Sequence, residues 1–194
     1  MIGTKRYPEP ASFAEMVERP SHEFKSLFGR QSVKGLKDIM QIEAFLRVVK
    51  PATIVELGTG EGMHTAYLAL YAALNGARVI SVDASNEMDL IAPLADHLPL
   101  ELVQADILKT DVVDKILARD LPGPLMLYCD NGDKPREVQR LVPQLAPGDY
   151  CIVHDWGLNI QEADVAELLM DDTITYYHRL AWEHSGTHMG FVRT

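Results

Sequence analysis

Three acids in this 194-residue chain each stand at the end of a short apolar run, and the first is followed by a set of glycines. The first run reads Ile54-Val55-Glu56-Leu57-Gly58-Thr59-Gly60-Glu61-Gly62 and leads into a helix-like segment from Met63 to Leu74. Glycine carries no side chain. At a strand-to-helix turn the backbone can therefore approach a ligand closely and present N–H groups at a helix start. The spacing is G-x-G-x-G, not the G-x-G-x-x-G that cradles a pyrophosphate. Glu56, at the mouth of such a turn, repels phosphate and favours a cationic or hydrogen-bond-donating ligand. The second run, Arg78 to Val82, ends in Asp83, 27 residues after Glu56. An acid at the tip of the second strand is placed to accept both hydroxyls of a ribose. The third run, Leu100 to Ala105, ends in Asp106, which can accept from an exocyclic amine or simply cap the following turn.

A second group of chemical residues lies further along. One strand-like run ends Tyr128-Cys129-Asp130-Asn131-Gly132-Asp133-Lys134, and another ends Val153-His154-Asp155-Trp156. If both tips face one crevice, Asp130, Asp133, His154 and Asp155 share a neighbourhood. Two or three carboxylates suit a hard divalent ion such as Mg²⁺, which would bind a substrate oxygen and lower its pKa. Asp130 and His154 read equally as residues that line a pocket or close a strand. Lys134 is either a solvated residue at a helix start or, if desolvated, a general base. Trp156 either lines an acceptor pocket or packs.

The elements that position these residues follow from periodicity. Ile42, Phe45, Leu46 and Val49 recur at helical spacing from a start near Ser32, and Pro51 ends that helix. Strands are expected at 53–57, 78–83, 100–104, 125–129 and 149–154, with helices at 62–75, 87–97, 111–119, 135–146 and 160–170. Pro143 should shorten or kink the fourth of these helices. The 62–75 helix is apolar on nearly all sides and should be deeply buried. Alternating strands and helices predict an α/β fold with a parallel sheet and helices on both faces. Thr173–Trp182 and Thr187–Arg193 are strand-like, and four residues join them. No helix is expected between them, and so short a link makes them antiparallel. Residues 1–32 hold Pro8, Pro10, Pro20 and Gly29 and a helix-like piece from Ser12 to Glu18. They read as an N-terminal extension that caps the 33–194 domain or covers its site, with Gly29-Arg30-Gln31-Ser32 folding over the ligand.

From about Val33 onward the chain resembles the class I S-adenosylmethionine (SAM)-dependent methyltransferases. The resemblance implies a Rossmann-like doubly wound sheet of seven strands, mostly parallel with the last strand antiparallel. It assigns Glu56 to the amino-acid part of SAM, Asp83 to the ribose and Asp106 to the adenine. Gly58, Thr59, Gly60, Gly62, His64, Thr65, Ala84, Ile107 and Asp130 complete the implied cofactor contacts. The stretch Cys129-Asp-Asn-Gly-Asp-Lys, with Leu145-Ala-Pro-Gly-Asp-Tyr and Val153-His-Asp, is similar to the metal-dependent O-methyltransferases of the cephalosporin-hydroxylase type. Catechol and caffeoyl-CoA O-methyltransferases are more distant. That likeness implies metal ligation by Asp130 and Asp155, with His154 a third candidate. It makes Asp130, Lys134 and His154 the catalytic candidates. Many relatives carry a histidine after the strand-end acid where Asp133 stands here. The expected activity is methyl transfer from SAM to an oxygen of a small-molecule acceptor. The competing reading is a SAM- or nucleoside-binding protein of the same fold without catalysis.

Composition sets the outer bounds. A chain of this length fits one domain with a full core, and 47% hydrophobic with 24% charged residues is ordinary for a globular protein. A net charge of −10 and a pI near 5.1 argue against a nucleic-acid surface. No Asn/Asp-Pro-Pro-aromatic sequence follows Tyr128, which also disfavours amino methylation of bases. The first 13 residues are polar, and no apolar run approaches bilayer length, so no membrane partner is expected. Cys129 and Cys151 read as small buried residues in a reducing, cytoplasmic compartment, not as a redox pair. The sequence leaves room for a homo-oligomer.

Overall fold

The computed structural model describes residues 26–27, 30–31, 36–85, 88, 91–179, 182 and 187–194. In chain order these form β1 (Ser26–Leu27), β2 (Arg30–Gln31), α1 (Leu36–Val49), β3 (Thr53–Leu57), α2 (Met63–Asn75), β4 (Arg78–Asp83), α3 (Ala92–Ala95) and β5 (Leu100–Gln104). They continue with α4 (Val112–Leu117), β6 (Leu125–Cys129), α5 (Lys134–Leu141), β7 (Tyr150–His154), α6 (Glu162–Val165), β8 (Ile174–Tyr176) and β9 (His188–Arg193). The expected N-terminal helix and most of the 1–32 cap lie outside the described residues. Of the cap, Ser26–Leu27 pairs antiparallel with Arg30–Gln31.

Seven strands form one sheet in the order β5-β4-β3-β6-β7-β9-β8. β9 is antiparallel to both of its neighbours, and the other pairs are parallel. This is the expected doubly wound sheet with one reversed strand. β3, β6 and most of β7 are buried along their length, as a sheet covered on both faces requires. α1 and α2 lie together, joined by hydrogen bonds from Tyr67 to Glu43 and from Tyr71 to the Leu46 carbonyl. α4, α5 and α6 are tied to one another by Arg140 on Asp114 and Gln139 on the Asp164 carbonyl. No helix among the described residues is long and apolar enough to cross a membrane.

Four expectations need correction. The helix foreseen at 87–97 survives only as Ala92–Ala95, with Pro93 in its first turn, and that at 160–170 only as Glu162–Val165 and a 3₁₀ turn at Leu168–Met170; residues 86, 87, 89 and 90 fall outside the described set. α2 is not buried on all sides, since Leu70 and Leu74 are 40% and 86% exposed. A helix rich in small alanines gives no sequence signal for which face meets the sheet. Between β8 and β9, Tyr177 and His178 leave the sheet and Arg179 and Trp182 have helical backbone, with Trp182 N–H donating to the His178 carbonyl. The antiparallel pairing holds, but the strand foreseen to Trp182 stops at Tyr176. Pro143 does shorten its helix: α5 ends at Leu141 and passes into a 3₁₀ turn.

Candidate active site

The C-terminal ends of β3, β4, β6 and β7 open onto a cleft of about 450 Å³, within the range of roughly 300–1,000 Å³ usual for small-molecule sites. The turn from β3 to α2, Gly58 to His64, forms one wall. Gly58, Gly60 and Gly62 all take positive φ. A Cβ at Gly62 would lie 2.3 Å from Ile91 Cγ2, and one at Gly58 would lie 2.6 Å from the Asp130 carbonyl oxygen on the facing wall. The glycine turn and the tip of β6 are therefore in backbone contact, which no larger residue permits. Asp83 reaches in from β4, where its Oδ2 accepts from Gly60 N–H at 2.9 Å and its Oδ1 from Ser85 N–H at 2.7 Å. Asp130, Asn131, Gly132, Lys134, His154 and Asp155 form the opposite wall.

Glu56 does not stand at the mouth, as its sequence position had suggested. It is 1% exposed and lies beneath the glycine turn. Strand register places it beside Ser81 on β4. Its carboxylate accepts from Ser81 Oγ, Thr65 Oγ1 and His64 Nδ1, the last at 2.8 Å. Thr65 is fully buried on this carboxylate and is not a wall residue. His64 is the member of this group that reaches the cleft. Because Nδ1 is spent on Glu56, Nε2 is the ring atom left, and it is buried with no hydrogen-bond partner among the described residues.

Asp106, expected at the adenine, stands apart from this cleft. Asp106 accepts from the backbone N–H groups of Leu108 and Lys109 and pairs with the Lys109 ammonium at 2.7 Å. Lys109 holds its carboxyl below the usual carboxylate range. Asp106 thus caps its own turn and does not line the cleft. Ile107 is buried in the core and Ala84 is exposed, both away from the wall.

On the opposite wall, Asp130, His154 and Asp155 each offer a ligand atom, all within 4.8 Å of one another. His154 Nδ1 lies 3.0 Å from both Asp130 Oδ1 and Asp155 Oδ1. Asp155 takes φ 61, which turns the chain at the end of β7 and aims its carboxylate back at the cleft. The His154 hydrogen bond, reinforced by Lys134, holds the Asp155 carboxyl well below the usual range. Asp133 is not part of the cluster; it caps α5 and pairs with Arg136 at 3.4 Å. Lys134 is not solvated. It is 4% exposed, 3.1 Å from Asp155 Oδ2 and 3.7 Å from Asp130 Oδ1, and its ammonium donates to the Asn131 carbonyl. Trp156 packs edge-on against Tyr176 and Phe191.

One neighbour of this cluster was missed in the sequence. Asp38 of α1 stands 3.7 Å from His154 Nε2. It shares the inward stripe of Ile42 and Phe45, and a carboxylate on an apolar stripe is the signal that could have found it. Gln41 lies on the same stripe and bonds His188 Nδ1, while His188 Nε2 bonds the Tyr128 hydroxyl. The two cysteines are buried, with sulfurs 3.8 Å apart.

The residues present fit both implied groups. Two carboxylates and an imidazole nitrogen make a donor set for a divalent cation. The glycine turn, Asp83 and the His64 Nε2 atom offer a nucleoside and an ammonium their partners.

Solved structures share this architecture. CmcI with Mg and SAM is 19% identical, with all of this chain and 89% of that chain covered and a TM-score of 0.67. The apo structure of CalS11, a TDP-rhamnose 3′-O-methyltransferase of calicheamicin biosynthesis, is 16% identical over 95% and 88% of the two chains, with a TM-score of 0.60. The SAH-bound methyltransferase PaMTH1 of Podospora anserina is 12% identical over 81% and 77%, with a TM-score of 0.60. At these identities the likeness is one of fold. No curated protein sequence matches the chain. The profile of the rhamnosyl O-methyltransferase/CmcI family matches residues 21–170, well over half of the sequence, and the chain belongs to that family of O-methyltransferases.

Proposed function

We propose that this enzyme transfers the SAM methyl group to a hydroxyl of a small, sugar-like acceptor, with a divalent cation held by Asp130, His154 and Asp155. One observation carries the reading: a single cleft joins a glycine turn with its ribose-type acid, Asp83, to a three-residue ligand set on the facing wall. The sugar-like acceptor is suggested by the rhamnosyl O-methyltransferases of the family and by CalS11, a TDP-rhamnose 3′-O-methyltransferase. The cation is suggested by the donor set here and by the Mg of the CmcI complex. A cytoplasmic setting is supported by the buried thiol pair.

Methyl transfer from SAM is an in-line displacement, so the protein's task is to align the acceptor and withdraw its proton. On this reading the glycine turn and Asp83 hold the nucleoside. His64 Nε2 accepts from the α-ammonium, and Glu56 fixes the imidazole from below. A bound divalent cation supplies a Lewis acid that lowers the pKa of the acceptor hydroxyl. Of the buried residues beside that hydroxyl, Lys134 takes the proton in its neutral form, while His154 is committed to the cation.

The test is thermal stabilisation by S-adenosylhomocysteine with and without Mg²⁺, followed by transfer of labelled methyl to a panel of sugars and phenols. S-adenosylhomocysteine should stabilise the protein without metal, because its contacts lie on β3 and β4. Asp155→Ala should retain that stabilisation and lose cation binding and turnover together. Full methylation by a chelated sample would overturn the metal assignment.

A further inference from the structure

We infer that Asp38 is a positioning residue for the metal centre: its carboxylate faces His154 Nε2, favours the ring proton on that side when a cation is bound, and so leaves Nδ1 as the ligand atom facing Asp130 and Asp155. This rests on the cation site proposed above. His154 lies at the end of β7, and its ring is bracketed by acids on both sides. Nδ1 is 3.0 Å from each of the two strand-tip carboxylates, while Nε2 faces Asp38 Oδ1 at 3.7 Å. That last distance is longer than a hydrogen bond but well within the reach of a charge. The side chain of His154 is 11% exposed and that of Asp38 15%, so water screens the pair little.

A histidine binds a cation through one nitrogen and carries its remaining proton on the other. Which nitrogen does so is set by the partner of the N–H group. Carboxylates commonly supply that partner, and losing one weakens metal binding by about 10–100-fold. Here the geometry admits one productive arrangement. A cation between Asp130 and Asp155 meets Nδ1, so the proton must sit on Nε2, and the Asp38 carboxylate faces that side. Asp38 is itself held in place, since its Oδ1 accepts from Thr187 Oγ1 at 2.7 Å. Thr187 directly precedes β9, whose His188 is paired in register with His154 and lies 4.8 Å from it ring to ring. α1, which supplies Asp38, is anchored to the same strand by Gln41 on His188. Residues from opposite ends of the sequence thus converge on one imidazole.

The experiment measures Mg²⁺ affinity by calorimetry and the ring ¹⁵N spectrum of His154, in the wild type, Asp38→Ala, Asp38→Glu and Thr187→Val. Asp38→Ala should weaken Mg²⁺ by about 10–100-fold and shift His154 away from the Nε2–H tautomer. Asp38→Glu should restore part of both. S-adenosylhomocysteine affinity should be unchanged throughout, which also shows that each variant is folded. Thr187→Val removes one tie between α1 and β9 but keeps the carboxylate and the Gln41–His188 bond, and should bind Mg²⁺ within about twofold of wild type; a loss as large as that of Asp38→Ala would show that helix placement, not the Asp38 carboxylate, is what matters. Wild-type Mg²⁺ affinity together with an unchanged His154 spectrum in Asp38→Ala would overturn the inference. If the wild type itself binds no cation, the metal reading fails. Without a cation there is no bare-Nδ1 arrangement for Asp38 to support, so that result overturns this inference as well, whereas a wild type that binds Mg²⁺ beside an unaffected Asp38→Ala overturns the inference alone.

Discussion

Lys134 places a positive charge 3.1 Å from Asp155 and 3.7 Å from Asp130, on the two acids a cation would need. Two unit charges about 4 Å apart interact by about 4 kcal/mol at an effective dielectric constant of ~20. Even a third of that is about tenfold in affinity. Lys134→Met should therefore tighten Mg²⁺ binding by at least about tenfold while lowering turnover, with S-adenosylhomocysteine binding unaffected. Calorimetric titration of Mg²⁺ into the two proteins decides it. A variant that binds the ion more weakly would show that Lys134 supports the site and does not compete for it. The same residue shows what local sequence hides. Lysine after Asp133 at a helix start reads as solvated, and only the packing of α5 against the tips of β6 and β7 buries it. Glu56 is the mirror case. Its type and position next to the glycines were legible, but its three donors come from β4 and α2, and they draw it under the turn.

At the scale of elements, the turn from β3 to α2 decides whether the cleft exists. Gly58 and Gly60 both have positive φ, but only Gly58 abuts another strand. Gly60→Ala meets nothing within 4 Å and should cost only the left-handed backbone term, roughly 1–2 kcal/mol. Gly58→Ala adds a clash with the Asp130 carbonyl. It should cost more than Gly60→Ala and should also weaken cation binding, because the tip of β6 must move. Urea unfolding and Mg²⁺ titration of both variants check this, and equal losses would refute the coupling of the two walls. The strands here were readable because apolar runs bounded by acids and glycines leave little choice. The short helices α3 and α6 were overestimated, since periodicity continues into turns that tertiary contacts bend. The segment after Tyr176 misled because aromatic residues suit a strand, yet Tyr177 and Trp182 fold back onto Phe45.

For the molecule as a whole, the fully buried Glu137 on α5 gives a pH dependence that can be measured. Burial pushes its carboxyl up from 4.5 to about 7, and Lys134 opposes the rise. The unfolded chain ionises near the ordinary value while the folded protein still holds the proton. The contribution of Glu137 to stability therefore falls as pH rises from 4.5 to about 7 and levels off above that. The full difference is roughly 3 kcal/mol as an upper limit. Glu137→Gln should leave stability near pH 4 almost unchanged and raise it at pH 8. Thermal unfolding at the two pH values tests this. An equal change at both would mean that lost packing, not charge burial, dominates.

Sequence by itself determined the α/β class, the reversed last strand and the strand-tip positions of Asp83, Asp130, His154 and Asp155. Each of these follows from the order and polarity of neighbouring residues. Chain order places an acid at the end of a buried strand, and a short link forces antiparallel pairing. Tertiary structure alone decided which acids are usable. Asp106 and Asp133 spend their oxygens on their own loops, Glu56 is satisfied from neighbouring elements, and Asp38 arrives at His154 from a helix 116 residues earlier. Hydrogen-bond partners and burial are properties of packed surfaces, and residues far apart in the chain supply them, so no local pattern can encode them.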